Sequence, residues 1–379
     1  AAQIAAELLD GSEAKVVITA GDTPLVDSEM FRALIEGGHA NTKCMVASSI
    51  IPNPKGYGRI VRGGMGVHRI VEEKDATADE KAIQEVNSSI YCFDGPSLLE
   101  CLPKLKNDNA QGEYYLTDVV AMIAEEAAVD AMVFDNSDIL LGVNDRWQLA
   151  SADCKMRERI LRAHAESGVT IMDPATTYLG ADVTIGCDTV LEPNTMIVGR
   201  SVIGKACRIG PFTRIEDCKL GDSVMVYVSY MKEAILHDTA KVGPFAHIRP
   251  GSELLPDVKV GNFVETKNAR LDKGVKASHL TYIGDASVGE NTNIGAGTIT
   301  CNFDGFNKSR TEIGKNVFVG SNSTLVAPLN LSDGLFIAAG SVVSSGDYPS
   351  DSLVIGRTRT EVKEKWAAQW RNRKSKSEQ

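Results

Sequence analysis

From Leu179 onward, apolar positions recur every six residues. They fall at Leu179, Ile185, Leu191, Ile197, Ile203, Ile209 and Ile215, then in steps of five or six through Leu220, Val226, Met231, Leu236, Val242, Ile248, Leu254 and Val260. The register continues at Thr266 and Leu271, resumes at Ile283, Val288 and Ile294, and returns at Ile313, Val319, Leu325, Leu331, Ile337 and Val343. Gly often follows the apolar position, as at Gly180, Gly186, Gly204, Gly210 and Gly320. A helix repeats every 3.6 residues and a strand every two, so neither generates this period. A parallel β-helix does: each hexad is one short face, and its aliphatic residue points inward onto the coil below. Three hexads per turn predict roughly nine coils across Leu179–Val343. Lys273–Thr281, which contains Ser278 and His279, and the polar stretch Cys301–Glu312 break the period. Both are predicted to be surface loops, where function is usually carried.

The earlier part follows a different pattern. Ala14–Ala20, Thr42–Ile51, Gly58–Val61 and Asn87–Phe93 read as strands, and Ser28–Gly37, Ser97–Leu102 and Leu116–Ala127 as helices. That alternation predicts an α/β layer with a largely parallel sheet. Ala1–Asp10 reads as the middle of a helix, so the chain is expected to begin inside a domain. Asn144–Ser167 carries no Pro or Gly and reads as one connecting helix, and Thr360–Arg373 as a terminal helix with a solvated basic tail. The expected boundaries are 1–145, 146–168 for the linker helix, 169–357 for the β-helix, and 358–379 for the C-terminal helix and tail.

Composition narrows the function classes. Forty basic against 50 acidic residues give a net charge of −10, which argues against nucleic-acid or anionic-membrane partners. The eight cysteines form no CxxC pair, so neither a zinc nor a redox motif is indicated, and free thiols in a reducing cytoplasm are expected. No apolar run is long enough to span a bilayer.

Several residues could carry chemistry. His279, inside the first interruption with Tyr282 three residues on, is either a general base suited to neutral pH or a surface histidine. Arg249 and Lys267 fall about one coil apart, where they could hold a phosphate or simply be solvated charges. Asp22 ends a strand, where it is either an oxygen ligand for a hard cation such as Mg²⁺ or a turn residue.

Taken together, AGDTPL, GYGRI, IVEEKDA, NAQGEYYLTD, GVNDR, IRPGSELL, VGNFVETKNARL, SHLTYIGDASVGENTNIGAGTITCNFDG and VFVGSNSTLVAP resemble one family in order along the whole chain. It is the bifunctional bacterial N-acetylglucosamine-1-phosphate uridyltransferase and glucosamine-1-phosphate acetyltransferase. The resemblance implies a Rossmann-like nucleotidyltransferase domain in front of a trimeric, left-handed β-helix that acetylates glucosamine-1-phosphate from acetyl-CoA. His279 matches the base, Glu265 a carboxylate near it, and Asn302 a residue beside the acetyl group. Arg249, Lys267, Tyr282 and Asn293 match sugar-phosphate contacts, with Lys308 reaching across from a neighbouring subunit. Ala296, Asn302, Phe303, Ser321, Ala339 and Arg357 match coenzyme A contacts. Phe303 stands where Tyr is expected, but its backbone N–H can still act as an oxyanion donor.

In the front domain, Asp22 and Asn144 match Mg²⁺ ligands, while Gly58, Glu72, Asn87 and Asn144 match contacts to UDP-N-acetylglucosamine. The family's opening strand and its Gly-rich phosphate loop with Arg and Lys are absent from this sequence. The chain is therefore expected to be either a fragment of a bifunctional protein or a form retaining acetylation only, with transfer from UTP lost. Two other readings are a hexapeptide acyltransferase for a different amino sugar and a non-catalytic trimeric scaffold.

Overall fold

The computed structural model describes residues 2–6, 9, 14–64, 66–135 and 142–377, with side chains as far as residue 371. The chain divides into two compact units, Ala1–Met156 and Arg157–Gln379. Helix at the start covers Ala2–Ala5, and part of the Ala1–Asp10 stretch lies outside the described residues.

The first unit is built on six strands: β1 (Lys15–Thr19), β2 (Thr42–Ile50), β3 (Arg59–Gly63), β4 (Gly66–Val71), β5 (Glu85–Asp94) and β6 (Ala128–Val133). Their order is β1-β5-β2-β6-β4-β3. Helices α1 (Ser28–Glu36), α2 (Gly95–Cys101) and α3 (Thr117–Glu126) connect them. Asp27 caps α1 by accepting the Met30 N–H at 2.9 Å. β2 and β5 are buried along most of their length, as central strands covered on both faces should be.

The expected largely parallel sheet is corrected. β5 runs antiparallel to β1, β2 and β3, and β3 pairs antiparallel with β4; parallel pairing is confined to β2–β6 and β4–β6. Only two positions separate β3 from β4, and parallel neighbours need a crossover of a dozen residues or more. β4 and β6 were not anticipated as strands.

Helix α4 spans Arg146–Glu166, and the division between units falls within it.

The second unit is a parallel β-helix whose short strands pair coil upon coil. One stack runs through Ile197, Ile215, Met231, Ile248, Thr266 and Ile283, and neighbouring stacks through Leu191, Ile209, Val226 and Val242 and through Ile203, Leu220, Leu236 and Leu254. These side chains are almost wholly buried, and each full burial of an aliphatic side chain stabilises by about 1.5–3 kcal/mol.

The predicted loop at Lys273–Thr281 is corrected. β7 (Lys259–Leu271) and β8 (Lys276–Val288) are successive coils in continuous register, and Ala277, fully buried, occupies the inward slot. A methyl group there keeps the geometry while hiding the apolar period. The second interruption does loop out, between strands Ile299–Cys301 and Thr311–Ile313, with Thr300 buried in the slot. The terminal helix α5 (Trp366–Ser377) extends past its predicted end and stacks Trp366 on Trp370 with centroids 6.4 Å apart.

Candidate active site

The coils β7 and β8 carry most of the expected residues. Each turns two corners, at Phe263 and Asn268 and at Leu280 and Asp285, all with φ between 45° and 56°. Left-handed backbone at residues other than Gly is costly unless the surroundings hold it, and here every corner sits on the coil before it. Between the corners lies a short face, 264–267 on β7 and 281–284 on β8, with Glu265 under Tyr282 and Lys267 under Gly284.

At one end of this face, cations gather. Arg249 donates to the Glu265 carboxylate at 2.6 Å, and both side chains are about one-third exposed. Lys267 lies within hydrogen-bond reach of Lys308, whose proximity, followed by that of Arg249, holds the Lys267 ammonium below the usual lysine range. Three cations against the two carboxylates Glu265 and Asp285 leave a net positive charge that suits a phosphate. Within one chain Lys308 stands beside Lys267, and an antiparallel bridge between Phe303 and Lys308 closes the 302–310 loop. Asp304 shapes that loop by accepting the Phe306 and Asn307 N–H groups at 2.8 and 2.6 Å.

Asn302 donates to Asp285, which also accepts from Asn268 at 2.6 Å. Burial raises the Asp285 carboxyl, but these hydrogen bonds and the Lys308 and Lys267 charges outweigh it and hold it below the usual carboxylate range. Nothing in the sequence reading singled out Asp285, which ties this corner together.

His279 stands at the other end, exposed, one residue before the Leu280 corner. Its Nδ1 lies 2.5 Å from Oδ1 of Asn262, the residue directly beneath it. Glu265 lies three residues along from Asn262, opposite Tyr282, where Arg249 engages its carboxylate. Tyr282 projects from the face between the two corners and folds its ring over Gly284, where a Cβ would lie 2.3 Å from Oη.

The corner bearing His279 continues up the solenoid. The Gly297 N–H donates to the Leu280 carbonyl, Asn322 to Ala296 and Gly340 to Ser321, at 2.7–3.0 Å. Ala296, Ser321 and Ala339 therefore form one column above His279. Arg357, exposed, follows Gly356, whose carbonyl accepts the Val342 N–H at 3.0 Å. Asn293 stands on a different face, between Lys276 and Phe318, away from Tyr282. Within one chain, His279 and Asn302 are held at opposite ends of the 281–284 face.

In the first unit, Asp22, Asn87 and Asn144 line a cavity of about 300 Å³ with Lys55, Tyr57 and Ser89. A Cβ on Gly142 would lie 3.2 Å from Asp22 Oδ2 and 3.9 Å from Asn144 Nδ2, so both side chains border that backbone position. A carboxylate and an amide are the oxygen donors that Mg²⁺ accepts, so the pair fits that ion. A Cβ on Gly58 would lie 3.5 Å from both Asn87 Cβ and Glu72 Oε1. Burial raises the Glu72 carboxyl above its usual range, against a hydrogen bond from Thr117. Glu72, Tyr91, Tyr114 and Tyr115 line an adjoining cavity of about 270 Å³. Among the described residues no cluster of three or more His, Cys, Asp or Glu could hold a metal, and no helix is long and apolar enough to cross a membrane.

The stacked hexads have a counterpart among known families: residues 182–217 match the family described as bacterial transferase hexapeptide (six repeats). Curated relatives extend the match to nearly the whole chain. The bifunctional protein GlmU of Geobacillus sp. (strain WCH70) is 46% identical over 96% of this chain and 79% of its own length. Its namesakes in Geobacillus thermodenitrificans and Staphylococcus haemolyticus are also 46% identical, over 98% and 96% of this chain and 81% of their own lengths. The chain belongs to the bifunctional GlmU family and is an enzyme of its N-acetyltransferase and uridyltransferase class. A solved UDP-N-acetylglucosamine O-acyltransferase from Moraxella catarrhalis overlaps 46% of this chain and 66% of its own at 14% identity, with a TM-score of 0.30.

Proposed function

We propose that the second unit transfers the acetyl group of acetyl-CoA to the amine of glucosamine-1-phosphate, giving N-acetylglucosamine-1-phosphate. The observation that carries this reading is the pairing of two corners on one coil, a cation cluster suited to a sugar phosphate and a histidine at the foot of a column suited to coenzyme A. In this mechanism Arg249, Lys267 and Lys308 anchor the phosphate, and Tyr282 packs the sugar. The amine nitrogen attacks the thioester carbonyl while His279 takes its proton. The tetrahedral oxygen collapses, the C–S bond breaks, and coenzyme A leaves as the thiol after taking up a proton. Asn302 and the Phe303 N–H serve the acetyl end and Asn293 the sugar, and, as the resemblance implies, Lys308 reaches across from a neighbouring copy in a homotrimer. An exposed apolar corner at Phe212, Phe245, Phe263 and Leu280 offers a surface for that assembly.

The first unit, in this reading, binds UDP-N-acetylglucosamine through Gly58, Glu72 and Asn87, with Asp22 and Asn144 holding Mg²⁺, which would neutralise phosphate charge there. Such a unit serves uridylyl transfer from UTP. The sequence carries no Gly-rich phosphate loop, so transfer by these 379 residues alone is proposed to be undetectable. Pyrophosphate release from UTP at ordinary rates by this chain would overturn that part.

The acetyl-transfer reading is tested by thiol release from acetyl-CoA with glucosamine-1-phosphate, comparing the parent with His279→Ala. A loss of roughly a hundredfold or more in kcat is expected. Turnover only with a different amino sugar, or no turnover from a folded assembly, would replace the reading with one of its alternatives.

A further inference from the structure

We propose that Asn262 is a positioning residue that fixes the tautomer of His279. The inference rests on the reading of His279 as the base for acetyl transfer. Asn262 and His279 are register partners on β7 and β8, and Oδ1 faces Nδ1 at 2.5 Å. An amide oxygen only accepts, so the ring nitrogen facing it carries the hydrogen and the lone pair is left on Nε2. Nε2 is then the atom free to take the amine proton.

The contact is built into the solenoid. A Cβ on Gly261 would lie 2.0 Å from the Ser278 carbonyl oxygen, so glycine lets the two coils close up immediately before the pair. On the other side, Phe263 stacks on Phe245 with centroids 5.3 Å apart and holds the following corner. The carboxylate that could have done this work, Glu265, is committed to Arg249 at 2.6 Å. A neutral partner also has a chemical consequence: it orients the ring without adding a negative charge that would keep the ring protonated and unable to act as a base.

The test uses the full chain as parent, Asn262→Ala, Asn262→Asp and His279→Gln. Nitrogen-15 NMR of the histidine rings, with His279→Gln assigning the signal, reads the tautomer in the absence of substrates. The parent ring is expected as Nδ1–H, and Asn262→Ala as a mixture with Nε2–H. In the thiol-release assay Asn262→Ala should lose roughly 10–100-fold in kcat, with acceptor KM and thermal unfolding unchanged. Asn262→Asp should recover most of kcat and move the acidic limb of kcat/KM to higher pH, because a carboxylate holds the proton on the ring. The other charged or titratable groups on these coils, Lys259, Glu265, Lys267, Arg270, Asp272, Lys273, Lys276, Tyr282 and Asp285, are the same in every variant.

An Nε2–H parent ring, or full activity with an unchanged tautomer in Asn262→Ala, overturns the proposal. A parent that does not acetylate glucosamine-1-phosphate but loses its Nδ1–H signal in Asn262→Ala keeps the orientation and discards the acetyl-transfer reading.

Discussion

Gly284 is a position where adding one methyl group should separate packing from catalysis. It does not have positive φ, so in open space Gly284→Ala would stabilise the fold by about 0.4–1 kcal/mol through the unfolded chain. The space is not open. The new Cβ would lie 2.3, 2.5 and 2.6 Å from Oη, Cζ and Cε1 of Tyr282. The backbone cannot retreat easily, because the Gly284 N–H donates to the Thr300 hydroxyl at 2.8 Å and its carbonyl accepts from the same hydroxyl at 3.1 Å. The Tyr282 ring must therefore swing off the face where the acceptor sugar is proposed to pack. Overpacking of this kind costs about 1–3 kcal/mol. The expected result is a lower unfolding midpoint together with a raised KM for glucosamine-1-phosphate, and an unchanged KM for acetyl-CoA. The double mutant with Tyr282→Ala is decisive. With the ring gone, the methyl group has nothing to strike, so Gly284→Ala in that background should be neutral or slightly stabilising, giving a coupling of about 1–3 kcal/mol between the two sites. Strictly additive effects in denaturant unfolding and in acceptor KM would refute the reasoning.

Three further outcomes follow from the same coils. Ile248→Ala removes a fully buried side chain stacked between Met231 and Thr266; it should cost about 2–5 kcal/mol in chemical denaturation. Lys267 bears a charge that Lys308 and Arg249 disfavour, so its ammonium, and with it phosphate affinity, is lost as pH rises through a value below the ordinary lysine range. Lys308→Met should therefore raise acceptor KM about tenfold at neutral pH, yet shift its alkaline rise to higher pH; a KM–pH profile checks both. Asp285, held below the usual carboxylate range, contributes stability that is present above its unfolded value near 4 and is lost as pH falls through the folded one. Asp285→Asn should thus be about 1 kcal/mol less stable than the parent at pH 7 after solvent screening, with the gap closing towards pH 3 in unfolding titrations.

The solenoid was legible in the sequence because its core is a one-residue-per-face pattern, and a run of Leu, Ile and Val at fixed spacing has no other economical explanation. Legibility failed where the slot did not need an aliphatic residue. Ala277 and Thr300 fill inward positions without breaking the stack, so one true coil read as an interruption. In the first unit, element type was easier than direction. Val67 and Ile70 are the buried residues of β4, with two exposed residues between them, a spacing that suits a helix as well as a strand. β6 follows the Ala-rich end of α3 without a breaker, so it reads as more helix. Whether strands run parallel is decided by the connections, and the apolar pattern of a single strand carries no direction.

The residues expected to touch substrates were found through motif resemblance, whereas those that hold them in place were not. In a solenoid, contact is a fixed sequence offset: Asn262 meets His279, Asn268 meets Asp285 and Asp285 meets Asn302, each 17 residues apart. Arg249 meets Glu265 at an offset of 16. Once the period of a coil is known, the partner of any candidate can be sought one coil away, and a polar residue there carries weight because its only nearby partners are the residues above and below it. Applied to His279, the rule selects Asn262 and passes over Glu265, three residues further along and opposite Tyr282. Rigid stacking also explains why this scaffold suits the proposed reaction. Both corners are set by parallel backbone pairing, so the distance between phosphate anchor and base is fixed before substrate arrives, and binding energy need not be spent on ordering them.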